Sequence, residues 1–270
     1  MTKRKIITGF SITFLLLGLV AFLYTPNKAK SEYYNGGIPT VFVHGYKGTV
    51  NSFGNMLNRF EKYNWGKKGV SYFVKADGSL NELLLGWSKE KPNFIQVVLE
   101  NNRTSFDEST YYLSKVLHHL KQTYNIDTVN LVGHSMGGII SVKYSMEYLD
   151  AAYPGVNKLV TIGSPFAGIF NENYFITHRD RAAEDLKMGS PALGLLNSIA
   201  FPEGIQVLSI GSTGDALAVP ESVQQLRSIV PATQLEEIML ENDSLGHSAL
   251  HEDQTVDQLI QRFLWQDLAQ

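Results

Sequence analysis

The sequence predicts an α/β fold in which a mostly parallel central sheet carries helices on both faces. Three observations lead there. Apolar runs of strand length alternate along the chain with segments of helical periodicity. The connections between them are short, which is the pattern of parallel strands joined by crossover helices. A Gly-x-Ser-x-Gly, Gly133-His134-Ser135-Met136-Gly137, stands between a strand-like run and a helix-like one. With 270 residues the chain is long enough to bury one large core.

The first predicted strand is Ile38 to Val43, ending at His44-Gly45. Asn51 to Tyr63 has Phe53, Met56, Leu57 and Phe60 at helical spacing. Val70 to Lys75 and Asn81 to Leu85 flank Asp77-Gly78, a hairpin signal. Pro92-Asn93 introduces a strand over Phe94 to Leu99, and Asp107 to Tyr124 reads as an amphipathic helix with Tyr111, Tyr112, Val116, Leu117 and Leu120 facing inward. Val129 to Val132 and Gly138 to Tyr144 are the strand and helix around Ser135. Lys158 to Ile162 forms a strand closed by Gly163-Ser164-Pro165. Residues 166–204 carry no strand signal and are expected to form a short cap insertion over the sheet edge. Strand character returns at Ile205 to Ile210 and Gln234 to Leu240, and Asp253 to Asp267 is the expected final helix. No internal repeat interrupts the domain assigned to residues 38–270.

Residues 1–24 form a targeting segment. Lys3-Arg4-Lys5 precedes an uncharged run from Ile6 to Tyr24, which as a helix would span about 28 Å, close to a bilayer core. That layout fits a retained membrane anchor or a cleaved signal peptide. In both cases the basic residues stay in the cytoplasm and the remainder is exported, with membrane contact through this segment. Residues 25–37 read as a polar linker. A net charge of −3 gives no support for nucleic-acid binding. The absence of cysteine excludes disulfides, thiolate metal sites and a cysteine nucleophile.

The turn at Ser135 is the chemical centre of the sequence. A serine on a sharp strand-to-helix turn presents its hydroxyl at the sheet edge, and the helix behind it points N–H groups at a developing oxyanion. The hydroxyl needs a histidine to take its proton and a carboxylate to hold that histidine. Asp215 lies in Gly211-Ser212-Thr213-Gly214-Asp215, just past a strand, and so at the same edge. His247 follows the last strand and precedes the last helix, with His251 four residues on as its competitor. The loop His44-Gly45-Tyr46-Lys47-Gly48 is expected to give the Tyr46 backbone N–H as one oxyanion donor, with the Met136 N–H as the other. His44 is expected to organise that loop. His134 flanks the serine but points away from it, so it is not a candidate base.

Ile38-Pro39-Thr40-Val41-Phe42-Val43-His44-Gly45, Leu131 to Gly138, Gly214-Asp215 and His247-Ser248-Ala249-Leu250-His251-Glu252 together resemble the α/β-hydrolases of Gram-positive cell surfaces. These form a domain family of unknown function, often called cell-surface hydrolases. The resemblance spans roughly residues 36–268 and implies an α/β-hydrolase fold with a Ser135, Asp215, His247 triad. The Gly246-His247 segment with Val256, Leu259 and Ile260 is also similar to the catalytic-histidine segment of small secreted bacterial lipases, which favours His247 over His251.

The expected activity is hydrolysis of a carboxylic ester through an acyl-enzyme. That chemistry requires no metal and no organic cofactor. The same residues would also serve an acyltransferase of the cell envelope. A binding protein on a hydrolase scaffold is the non-enzymatic alternative.

Overall fold

Alternation within the strands dictates two covered faces. Val41 and Val43 point to one side of the sheet and Phe42 to the other, all fully buried. The computed structural model describes residues 34–266. In chain order the elements are β1 (Thr40–Val43), α1 (Asn51–Lys62), β2 (Lys67–Val74), β3 (Leu80–Leu84), β4 (Asn93–Leu99), α2 (Phe106–Tyr124), β5 (Thr128–His134), α3 (Met136–Glu147) and β6 (Gly155–Ile162). They continue with α4 (Tyr174–Thr177), α5 (Arg181–Asp185), α6 (Pro191–Leu195), β7 (Gln206–Ser212), α7 (Pro220–Gln224), β8 (Leu235–Leu240) and α8 (Gln254–Trp265). Short 3₁₀ turns cover Gln225–Ser228 and His247–Glu252.

The eight strands form one sheet in the order β3-β2-β4-β1-β5-β6-β7-β8. Every neighbouring pair is parallel except the β2–β3 hairpin at one edge. On one face α2 and α3 bury Leu113, Leu117, Leu120, Ile139 and Val142 against the sheet. On the other, α1 and α8 bury Phe53, Phe60, Ile260 and Leu264 around Phe42 and Phe94. Ser105 starts α2 by accepting a hydrogen bond from the Glu108 N–H, and Asn125 in left-handed conformation (φ 55°) stops it.

One expectation needs correction. Tyr111 is 51 % exposed, because α2 turns its neighbour Tyr112 into the core and the two cannot share one narrow stripe. The last helix begins at Gln254 with Asp253 as its cap, within one residue of the expected start, and the preceding residues form the 3₁₀ turn that carries His247. Residues 163–205, between β6 and β7, hold only the short helices α4, α5 and α6.

The chain enters the domain under the sheet. Tyr34 to Pro39 lie beside Asn125 to Thr128, at the amino-terminal ends of β1 and β5. The targeting segment 1–24 and linker residues 25–33 fall outside the described residues. Among the described residues no helix is long and apolar enough to cross a membrane.

Candidate active site

Parallel pairing brings the carboxyl ends of β1, β5, β6, β7 and β8 to one edge of the sheet. That edge collects the segments singled out in the sequence. β5 delivers Ser135, the loop after β7 delivers Asp215, and the turn after β8 delivers His247. The three side chains meet in series. Ser135 Oγ is 2.9 Å from His247 Nε2, and His247 Nδ1 is 2.7 Å from Asp215 Oδ2. A carboxylate only accepts, so Nδ1 carries the proton and Nε2 is left free to receive one from the serine.

Local backbone explains why the serine stands where it does. Ser135 adopts φ 57°, ψ −129°, a conformation that L-residues rarely hold. Its N–H donates to Ile162 O at 2.8 Å, tying the turn to β6. Gly137 is required because any Cβ there would strike the carbonyl oxygens of Val43 at the end of β1 and of His44 just past it. Asp215 is itself fixed: its Oδ1 accepts from the Leu217 and Ala218 N–H groups, each at 2.9 Å, and the residue is 1 % exposed.

The loop after β1 lies directly against this turn, since a Cβ on Gly45 would stand 2.7 Å from Ser135 Cβ. His44 braces the loop from within. It donates from Nδ1 to Gly45 O at 2.8 Å and accepts at Nε2 from the Leu99 N–H at 2.9 Å, which defines a neutral imidazole. Lys47 N–H donates to Asn102 O at 2.9 Å and the Asn102 side chain to Gly48 O at 2.8 Å. Met136 opens α3, so its N–H has no partner within the helix.

Three imidazoles pack in a row beside the serine. The His134 ring lies 4.8 Å from that of His247 and 4.7 Å from that of His251. His134 donates from Nε2 to His247 O at 3.1 Å, so it steadies the segment rather than facing the serine. His251 stays on the far side of His134, its Nδ1 3.4 Å from Glu252, with no bond to Ser135 or Asp215.

Sequence reasoning missed Arg59. From α1 it binds Asp257 through Nε (2.6 Å) and Nη2 (2.9 Å), Glu252 through Nη1 (2.9 Å) and the His251 carbonyl through Nη2 (2.9 Å). Asp257 is fully buried. One guanidinium therefore anchors the carboxyl end of the 3₁₀ turn that begins at His247 and ties it to α8. A signal did exist: Asp257 falls in the same helical stripe as Ile260 and Leu264, and a carboxylate in an apolar stripe needs a buried partner.

Burial holds His134 well below the ordinary imidazole value, helped by the neighbouring His247 and His251, and burial also lowers His44. The unfolded chain thus takes up protons near pH 6.5 that these two residues refuse when folded, so stability is full above that pH and is lost as pH falls below it. Each contributes at most about 1.4 kcal/mol per pH unit. Burial raises the carboxyls of Asp185 and Asp257, which act in the opposite sense. Comparison with a single-site variant cancels their effect. The melting temperature is expected to fall between pH 7.5 and 5.5, and to fall less steeply in His44→Gln, which keeps an acceptor but does not titrate. Equal slopes in thermal-shift measurements would refute this.

Sheet order, helix placement and the strand–Ser135–helix turn together define an α/β-hydrolase. A family model described as alpha/beta hydrolase of unknown function (DUF915) matches residues 27–267, and the chain belongs to that family. Solved structures share the fold. The lin2722 gene product of Listeria innocua superposes with TM-score 0.71 at 22% identity, over 85% of this chain and 94% of that one. A Lactobacillus plantarum protein assigned as a cell surface hydrolase gives TM-score 0.67 at 21% identity, over 86% and 92% of the two chains. Bacillus licheniformis lipase BlEst2 in its mature form gives 0.57 at 14% identity, over 86% and 93%. No curated protein sequence matches the chain.

Proposed function

We propose that this α/β-hydrolase is an exported serine esterase that cleaves carboxylic esters through an acyl-enzyme. The observation that carries the reading is the series Ser135 Oγ, His247 Nε2 and Nδ1, Asp215 Oδ2, linked at 2.9 and 2.7 Å at the sheet edge. Ser135 Oγ attacks the ester carbonyl carbon while His247 Nε2 takes its proton. Asp215 holds the imidazole in the needed tautomer and balances the imidazolium. The Tyr46 and Met136 N–H groups receive the oxyanion. Collapse of the tetrahedral species expels the alcohol, which leaves with the proton from His247. A water molecule, deprotonated by His247, then attacks the acyl carbon and frees Ser135 and the carboxylic acid.

Export rests on the basic-then-apolar leader before residue 25 and is in keeping with the surface assignment of the L. plantarum neighbour. The leader supplies the membrane contact of this reading, and the substrate is an ester reaching the protein from outside the cell.

The test is labelling with a fluorophosphonate probe followed by peptide mapping, alongside a panel of p-nitrophenyl esters of graded chain length. Modification confined to Ser135, with turnover of acetate and butyrate esters, is the expected result. A folded protein that neither reacts with the probe nor turns over any ester of the panel is not a serine esterase.

A further inference from the structure

One side chain connects the β6–β7 segment to the loop that lies against Ser135. The Tyr46 hydroxyl donates to Asp180 Oδ2 at 2.6 Å. The other oxygen of Asp180 caps α5, accepting from the Ala183 N–H at 3.1 Å. Arg103, in the loop after β4, places Nη1 3.3 Å from the same Oδ2 and its guanidinium carbon 6.0 Å from the centre of the Tyr46 ring. The Arg103 carbonyl in turn accepts from the Ala182 N–H at 3.1 Å. His178 meets the Tyr46 ring edge-on at 5.8 Å and stacks on Tyr174 at 4.0 Å.

The Tyr46 side chain is therefore held at its tip, along its edge and over its face. Burial and the bond to Asp180 push its phenol well above the ordinary range, so the hydroxyl remains a donor. A tyrosine fixed at the oxygen cannot turn about its Cα–Cβ bond without breaking that contact, and its own peptide plane is constrained with it. The neighbouring backbone is already pinned by Asn102 and His44, which leaves the Tyr46 peptide as the part of the loop that this side chain controls.

We propose that Asp180, seated by Arg103, is a positioning residue for the oxyanion site. Its bond to the Tyr46 hydroxyl holds the Tyr46 peptide so that the N–H faces the position where charge develops on the substrate. The segment between β6 and β7 is then a working part of the reacting edge and not merely a cover over it. This rests on the serine-esterase reading above.

The experiment uses Tyr46→Phe, Asp180→Ser, Asp180→Asn and the double variant Tyr46→Phe/Asp180→Ser. Hydrolysis of p-nitrophenyl butyrate is normalised to sites titrated with the fluorophosphonate. Serine at position 180 still caps α5 but is too short to reach the phenol, whereas asparagine caps through Oδ1 and keeps the phenol contact in reverse, Nδ2–H donating to the Tyr46 oxygen, with Arg103 released. Tyr46→Phe and Asp180→Ser are each expected to lower kcat about 10-fold with KM within about twofold. That is a fraction of the ~100-fold or more that follows outright loss of an oxyanion donor. Asp180→Asn should remain clearly faster than Asp180→Ser, and the double variant should be no slower than the slower single one, because both remove the same contact. Unchanged kcat per titrated site in Tyr46→Phe or Asp180→Ser overturns the proposal. So does an Asp180→Asn enzyme as slow as Asp180→Ser, or a loss confined to KM. A parent protein with neither labelling nor turnover sinks the esterase reading and this one together. An active, labelled parent with unaffected variants sinks the positioning role alone.

Discussion

Ser135→Ala is expected to abolish turnover of p-nitrophenyl acetate and butyrate, a loss on the order of 10⁴- to 10⁶-fold in kcat. The melting temperature should move by no more than about 2 °C, since the hydroxyl contributes one hydrogen bond, to His247. Ser135→Gly sharpens the result. The serine holds φ 57°, ψ −129°, and such a conformation costs a non-glycine residue roughly 1–3 kcal/mol. Relief of part of that strain should make the glycine variant more stable than the parent while leaving it just as inactive. Steady-state kinetics with calorimetry reads both effects. Parent-level turnover by the alanine variant would remove Ser135 from the role of nucleophile.

Arg59→Ala is the substitution with the largest expected cost to stability, about 3–5 kcal/mol by urea unfolding at neutral pH. It strands the fully buried Asp257 carboxylate and frees Glu252 and the His251 carbonyl together. Burial already raises the Asp257 carboxyl, and the guanidinium is what pulls it back. Without Arg59 it rises further. The stability gap between variant and parent should therefore narrow as the pH is lowered and the carboxyl takes up its proton. Adding Asp257→Asn should recover part of the loss, since no buried charge is then left unpaired. Activity at temperatures where Arg59→Ala is still folded should also fall, because the turn carrying His247 has lost its anchor. An Arg59→Ala protein within about 0.5 kcal/mol of the parent would contradict this account.

Features written in short stretches of chain were legible in the sequence. The strand, turn and helix around Ser135 occupy a continuous segment, and its glycines are demanded by close contacts within that segment, with the end of β1 and with β6 and the residues after it. Asp215 and His247 could be nominated because each follows a strand, and parallel strands share an edge. That argument named residues without supplying distances, and the coordinates bring the three side chains within hydrogen-bond reach. What escaped were pairings between remote segments: Tyr46 with Asp180 across 134 positions and Arg59 with Asp257 across 198. Asp257 in its apolar stripe signals that it needs a partner, but nothing local names which residue supplies it. The helices α4, α5 and α6 escaped because four or five residues are too few to display a 3.6-residue period. The helical pattern admits Tyr111 inward as readily as its neighbour Tyr112, and only packing separates the two.

The path of the chain into the fold carries its own geometric consequence. Tyr34 to Pro39 run beneath the amino-terminal ends of β1 and β5, and Ser135 crowns the opposite pole. A leader embedded in a bilayer would pull on the bottom of the domain and turn the nucleophile outward, away from the lipid that tethers it. Were that leader retained, molecules approaching from the side away from the bilayer would reach the reacting pole more readily than its lipids.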